Sequence, residues 1–274
     1  IRKYESQDKN RWDEFINYSK NGYFLFYRDY MEYHSDRFQD FSLMIFKDNK
    51  LIAILPANLE EDKLISHGGL TFGGIISNKK MQAPLMVEIF QELKEYLKQQ
   101  GVKELIYKPT PYIYHTLPSE EDLYALFLNK AKLIRRDVSS TIYMEDKTAY
   151  NRNLKRKIKK TKEMGFKINR SNEYEKVMEI MAERLSGKYG VRPTHTGKEI
   201  KSLASKFPDN IKLFTAEIND EIYGGVIVFE DKHIAHGQYQ ATTDEGLRLN
   251  CNDLVFDYLI HDYYQDKRYF DFGI

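Results

Sequence analysis

Residues 211–240 read IKLFTAEINDEIYGGVIVFEDKHIAHGQYQ. Apolar, β-branched runs broken by Asn219-Asp220 predict strands over Ile211–Ile218 and Glu221–Glu230, joined as a hairpin. A third strand follows over Lys232–Gln240. Downstream, Leu254, Val255, Tyr258 and Leu259 mark one face of a helix, and RYFDF, Arg268–Phe272, reads as a closing strand. Upstream lie a short strand at Lys167–Arg170, a helix marked by Tyr174, Val177, Met178, Met181 and Leu185, and a second helix. Thr196 and Glu199 supply the capping box of that second helix, and Pro208 closes it.

The same order appears once before. Asp8 is the expected N-cap of a first helix bearing Trp12, Phe15 and Ile16, and a second covers Tyr27–Arg37. Strands at Phe41–Lys47 and Leu51–Leu59 flank an Asp48-Asn49 turn. A third runs from Lys63 into the glycine-rich SHGGLTFGGIIS, then a helix with Leu85, Met86, Ile89, Phe90, Leu93 and Leu97 ends near Gly101. Val102–Tyr107 is the last strand of this half, and Ser119 is the expected cap of the helix after it. Ile65-Ser66-His67-Gly68 sits where Ile234-Ala235-His236-Gly237 sits in the other half. The matched order of elements predicts an internal duplication, with residues 41–107 and 211–272 as two mixed sheets of one strand order. In each, the third and last strands should splay to open a cleft. The expected units are 1–146 and 147–274, joined by a helix over Ala149–Met164.

Composition narrows the function. The 274 residues carry 42 Lys and Arg against 41 Asp and Glu, so no global field recruits nucleic acid or membrane. Hydrophobic residues make up 42%, and no apolar run is long enough to span a bilayer, which makes a soluble, cytoplasmic protein the expectation. The start at Ile1 reads as part of a longer chain. One cysteine leaves no internal disulfide, and the seven histidines show no ligand spacing, so no metal is expected. Cys251 stands at a helix start but reads as a small packed side chain. The glycine-rich stretch lacks both dinucleotide-binding and P-loop spacing and reads as bulges or close backbone approach. Asn151–Arg170 holds nine Lys or Arg and one Glu, net +8. This is either a solvated helix face or a clamp for a diphosphate, a coenzyme or an RNA end.

The polar groups converge on the third and last strands of the second half. Strand alternation places His236, Gln238 and Gln240 on one face, with Gly237 and Tyr239 on the other. Asp271, between Phe270 and Phe272, points toward the same cleft as the polar row and is the expected general base; Tyr239 is the second expected catalytic group. His67, Tyr114, His115, His236, Gln238 and Gln240 are expected to bind substrate, the loop at 108–117 being stiffened by Pro109 and Pro111. Arg248, Asn250 and Asn252 lie at a helix start and are expected to hold an anionic cofactor.

A half built as strand, two helices, three antiparallel strands, helix and strand resembles the GNAT acyltransferase fold. Two in tandem resemble the superfamily's FemAB-like branch, which includes peptidoglycan aminoacyl transferases. RYFDFGI is similar to that branch's aromatic-Asp-aromatic-Gly strand, and YKPTPYIYHTLPSEEDLYALF with LIRRDVSST resembles uncharacterised bacterial GNAT-type proteins. The resemblance implies an α+β fold of two GNAT-like lobes, each a mixed, mainly antiparallel sheet flanked by helices, continuing past Ile274 with a final helix and strand. It also implies acyl-CoA as donor, yet ATTDEGLRLNCND stands where such enzymes carry [QR]-x-x-G-x-[GA]. The leading expectation is transfer of an acyl or aminoacyl group to an amine of a cell-envelope or sugar precursor. A Fem-type transferase using charged tRNA on the basic helix is the second. A ligand-binding module without catalysis is the third. No DNA partner is expected.

Overall fold

The computed structural model describes residues 1–273 and has an α+β fold. The chain divides into two compact units, Ile1–Arg136 and Asp137–Ile274, earlier than the expected 146/147 boundary.

The first unit contains β1 (Arg2–Lys3), α1 (Lys9–Tyr18), α2 (Arg28–Met31), β2 (Gln39–Asp40), β3 (Leu43–Lys47), β4 (Lys50–Leu55), β5 (Asn58–Glu60), β6 (Lys63–Ile65), β7 (Ile76–Ser77), α3 (Ala83–Gln99), β8 (Glu104–Ile106) and α4 (Glu121–Leu128). Its strands form two sheets, β1-β3-β4-β7 and β2-β5-β6-β8. The expected strand Leu51–Leu59 is split into β4 and β5 because Pro56 offers no N–H to the ladder. Leu43, Ile45, Ala53 and Leu55 pack against Met86, Ile89, Phe90 and Leu93 of α3. Asp8 occupies the N-cap position of α1 as expected, but its side chain is spent on Arg2 and on the Glu5 N–H; Glu120, not Ser119, precedes α4.

The second unit contains β9 (Thr141–Tyr143), α5 (Arg152–Glu163), β10 (Lys167–Ser171), α6 (Tyr174–Tyr189), α7 (Gly197–Lys206), β11 (Ile211–Ile218), β12 (Glu221–Glu230), β13 (Ile234–Thr242), α8 (Asp244–Arg248), α9 (Cys251–Tyr258) and β14 (Tyr269–Asp271). One six-stranded sheet runs β10-β11-β12-β13-β14-β9, with β13 and β14 parallel. Pairing of β9 with β14 is what draws residues after 136 into this unit. The basic helix also belongs here: the Thr161 hydroxyl donates to Leu249 O, beside α9. The Thr196–Glu199 capping box forms as expected. Val226, Val228, Ala235 and Phe270 meet Leu254, Val255 and Leu259 in the core, and α6 covers the opposite face, with Val177 close against Gly225.

The two halves share register as well as order. Each hairpin turns through two residues of positive φ, Asp48-Asn49 and Asn219-Asp220, an offset of 171. The pairing Ile45↔Ala53 followed by Phe46↔Leu51 leaves Ile52 as a bulge, and Ala216↔Gly224 followed by Glu217↔Ile222 leaves Tyr223. The offset between the bulges is again 171. Beyond Pro56 the register continues, Asp40↔Asn58 matching Ile211↔Phe229. On the far edge, β7 pairs Ala53↔Ser77 where β13 pairs Gly224↔Thr242, so β6 and β7 together stand for β13. The glycine-rich loop therefore interrupts the third strand of the first copy. Among the described residues no helix is long and apolar enough to cross a membrane.

Candidate active site

The site forms where the parallel pair ends. Ladder pairing of β13 with β14 covers Ile234↔Tyr269, Ala235↔Phe270 and His236↔Asp271, after which β13 continues to Thr242. Its Gly237–Thr242 segment has no strand partner on that side among the described residues.

Asp271 lies at this point. Its side chain is 4% exposed, and both oxygens are engaged: Oδ1 accepts from the Thr141 hydroxyl at 2.8 Å and Oδ2 contacts His236 Nδ1 at 2.8 Å. A carboxylate only accepts, so His236 carries its proton on Nδ1 and Nε2 is the basic nitrogen. His236 is 12% exposed on its side chain, three times as open as Asp271. The expectation that Asp271 meets substrate directly is corrected. Phe270 turns to the core as expected, but the carboxylate is covered and holds the Thr141 hydroxyl and the His236 imidazole. Gly273, at φ +77°, lies close to this ring; a Cβ there would stand 3.0 Å from His236 Cε1.

A bulge changes which residues share a face. Ile227 pairs with Tyr239 and Val228 with Gly237, leaving Gln238 as the extra residue. His236 and Tyr239 consequently stand on the face covered by α6, and Gln240 turns to the other. The expected row of His236, Gln238 and Gln240 is broken. Tyr239 is buried and its hydroxyl hydrogen-bonds His195 Nδ1, in the segment just before α7. Burial pushes the Tyr239 phenol up to about 12, so it stays protonated at neutral pH. His195 and Thr141 escape a reading by motif, since each stands alone in its segment. The capping box immediately after His195 is the one signal that fixes its place.

The remaining expected site residues lie elsewhere. His67 is buried, at φ 47°, with its ring stacked on His34 at 5.2 Å between centroids. Burial, followed by the charges of His34, Lys108 and Arg28, pushes it down to about 3. Tyr114 is buried between Tyr23 and Phe72, and His115 Nε2 donates to Thr110 O at 2.9 Å. His67 and Tyr114 are part of the first unit's interior, and His115 is half-buried beside it. Cys251 is buried and its thiol pushed up to about 11, as a packed side chain requires.

The expected anion site is not built. Between β13 and α9 the chain forms α8, whose Gly246 N–H is taken by the Thr243 hydroxyl and whose first turn bears Asp244 and Glu245. Asn250 enters α9 in the left-handed region without capping it, the first turn there carries Asp253, and Asn252 Oδ1 is a buried acceptor with no partner. Arg248 is exposed at the far end of α8. Acids at two helix starts and an orphaned acceptor oppose a diphosphate, so these residues do not fit the pyrophosphate of coenzyme A. Among the described residues no group of His, Cys, Asp or Glu could hold a metal ion.

Residues 148–274 match the acetyltransferase (GNAT) domain family. No curated protein matches the chain in sequence. Its fold is similar to that of FemX, at 11% identity with a TM-score of 0.67, covering 100% of this chain and 88% of the other. It is similar also to L-PGS from Bacillus licheniformis, at 8% identity and TM-score 0.60, covering 100% and 79%. The C-terminal domain of a putative lysylphosphatidylglycerol synthetase from Agrobacterium fabrum gives 9% and 0.61, covering 98% and 78%. Residues 148–274 thus form a GNAT-type domain, and the whole chain shares the fold of FemX.

Proposed function

We propose that this chain is an acyl or aminoacyl transferase whose reaction takes place at the end of the β13–β14 ladder, with an amine of a cell-envelope or sugar precursor as acceptor. The observation that carries the reading is the Thr141–Asp271–His236 chain of hydrogen bonds. The amine nitrogen attacks the donor carbonyl carbon, forming the C–N bond, while His236 Nε2 takes the N–H proton and buried Asp271 stabilises the resulting imidazolium. The bond from carbonyl carbon to leaving atom breaks, and Tyr239, held by His195, gives its proton to that atom and is reprotonated by the His236 imidazolium, which restores both groups. The open edge of β13 offers backbone N–H groups to the carbonyl oxygen. No covalent intermediate is needed, which accords with the burial of Cys251, the one thiol of the sequence.

A charged tRNA is the donor we favour over coenzyme A. Two features support it: the poor fit of the α8–α9 segment to a diphosphate, and α5, on which Arg152, Lys155, Arg156, Lys157, Lys159, Lys160 and Lys162 are all exposed. Lys162 alone of these meets an acid of the sheet-covering helix, Asp257 at 2.8 Å. Transfer from aminoacyl-tRNA and from acetyl-CoA to amine-bearing envelope precursors, measured with wild type and His236→Gln, tests the reading. The variant should transfer roughly 10²-fold more slowly or worse. Unchanged transfer removes His236 from the chemistry. A melting temperature raised by acetyl-CoA restores coenzyme A as donor. No transfer and no binding with either donor supports a module without catalysis.

A further inference from the structure

The helix α4 is turned inside out. Its buried positions are Asp122 and Ala125, and the Asp122 carboxylate accepts from the Tyr107 hydroxyl at 2.6 Å. Leu123, Tyr124, Phe127 and Leu128, at the i, i+1, i+4 and i+5 positions of the opposite side, form an apolar face directed to solvent, Phe127 being 76% exposed. The chain then leaves the helix without regular structure and adds Leu133 and Ile134, 70% and 68% exposed. Four cations, Lys130, Lys132, Arg135 and Arg136, are exposed among them, and no acid occurs between Lys130 and Arg136. Isolated apolar residues on a surface need no explanation, but six large ones in fourteen consecutive residues, interleaved with cations, do.

We infer that this face, Leu123–Arg136, docks on an anionic lipid surface. The composition selects that occupant. A two-fold contact between copies of this chain would set the four cations against themselves, which opposes an isologous dimer. A nucleic acid would satisfy the cations but leave Leu123, Leu128, Leu133 and Ile134 without partners. A bilayer carrying anionic headgroups meets both demands, taking the apolar side chains at the acyl boundary and the ammonium and guanidinium groups at the phosphates. Tyr124 has an apolar ring and a polar hydroxyl suited to the headgroup level. The inference is independent of the transfer chemistry, since every residue in it lies in the first unit.

The test is flotation of the purified full chain with vesicles of phosphatidylcholine alone and of phosphatidylcholine mixed with phosphatidylglycerol, at low and high salt. Binding should require phosphatidylglycerol and weaken with salt. Lys132→Glu combined with Arg136→Glu should reduce the partition coefficient at least 25-fold, roughly fivefold for each cation removed. Phe127→Ser should reduce it roughly tenfold with the melting temperature unchanged, since the side chain is exposed. If Phe127→Ser does destabilise the chain, the charge variant, confined to exposed side chains, still decides the matter. Failure to float with either vesicle, equal flotation with both, or flotation untouched by both variants overturns the inference. So does a stable dimer in sedimentation that Ile134→Ser dissociates, or retention by RNA alone.

Discussion

Replacing Asp271 by Asn changes one buried atom of the candidate site and reverses a proton. In the wild type both carboxylate oxygens accept, from the Thr141 hydroxyl and from His236 Nδ1–H, each at 2.8 Å. An asparagine keeps one acceptor, which the Thr141 hydroxyl can retain, and presents an NH2 group to His236. Two donors then face each other unless the imidazole moves its proton to Nε2. That tautomer satisfies the hydrogen bond and abolishes the base. A base in the wrong tautomer costs between about 10² and 10⁴ in turnover, or about 3 to 5.5 kcal/mol of transition-state stabilisation. The folded state loses one charge-assisted hydrogen bond, worth roughly 1.5–3 kcal/mol, and remains folded. Single-turnover transfer with saturating donor and acceptor reads the chemical step, and a melting curve reads the fold. His236→Gln should cost as much, and the double variant no more than either alone, because the two groups act as one. Full turnover in Asp271→Asn, or additive losses in the double variant, would refute the relay.

Other outcomes follow from the buried polar groups and the turns. His67 is held near 3 in the fold and titrates near 6.5 when unfolded, so between those values the unfolded chain binds the extra proton. Stability is therefore complete above pH 6.5 and falls by about 1.4 kcal/mol per unit below it. From pH 7 to 4.5 the urea-unfolding free energy of wild type should drop by about 2–3 kcal/mol more than that of His67→Asn, which keeps the positive φ; parallel curves would reject this. Tyr107→Phe removes a donor to Asp122 and an acceptor for the Ile75 N–H, both buried, and should cost about 3 kcal/mol in chemical denaturation. Asp220→Gly relieves a residue at φ 63° in a two-residue hairpin and should raise stability by roughly 0.5 kcal/mol; a loss would mean the aspartate has another role. Cys251, buried with its thiol near 11, should resist iodoacetamide in the native protein and react on unfolding, as mass spectrometry would show.

What was legible in the sequence was whatever a local rule dictates. Asp48-Asn49 and Asn219-Asp220 announce two-residue turns because few side chains tolerate positive φ, and the hairpins follow. The Thr196–Glu199 box announces α7 because both partners lie within one turn. Asp271 was legible as a polar residue between two phenylalanines, of which Phe270 lies in the core and Phe272 is half-buried against it. The rest depended on partners distant in the chain. The bulge at Gln238 is a property of the β12–β13 pair, and it moves Tyr239 to the face of His236, which alternation along β13 alone excludes. Thr141 reaches Asp271 across 130 residues and His195 reaches Tyr239 across 44, each without a motif. The strand β9 carries three residues and acquires its identity only from β14 beside it.

The shared register explains why the His–Asp pair occurs in one copy only. The match of Ile65-Ser66-His67-Gly68 with Ile234-Ala235-His236-Gly237 pairs His67 with His236, but the ladders do not. Asn58 stands 171 residues before Phe229; Asn58 pairs with Ile65 and Phe229 with His236, so the counterpart of His236 is Ile65. In turn Ile65 pairs with Ile106 where His236 pairs with Asp271, which makes Ile106 the counterpart of the carboxylate. Two isoleucines cannot move a proton. Placing an imidazole and a carboxylate there would require a buried polar pair with no counterpart of Thr141, since β8 ends its sheet where β14 is covered by β9. His67 lies two residues beyond, in the glycine-rich loop that interrupts the strand, and packs on His34 instead. Pro56 and that loop break the first copy's sheet at the place where the second copy keeps β12 and β13 continuous to carry His236 and Tyr239 on one face. The repeat thus preserves the ladder in both halves and carries the hydrogen-bonded His236–Asp271 pair in the half whose sheet remains whole.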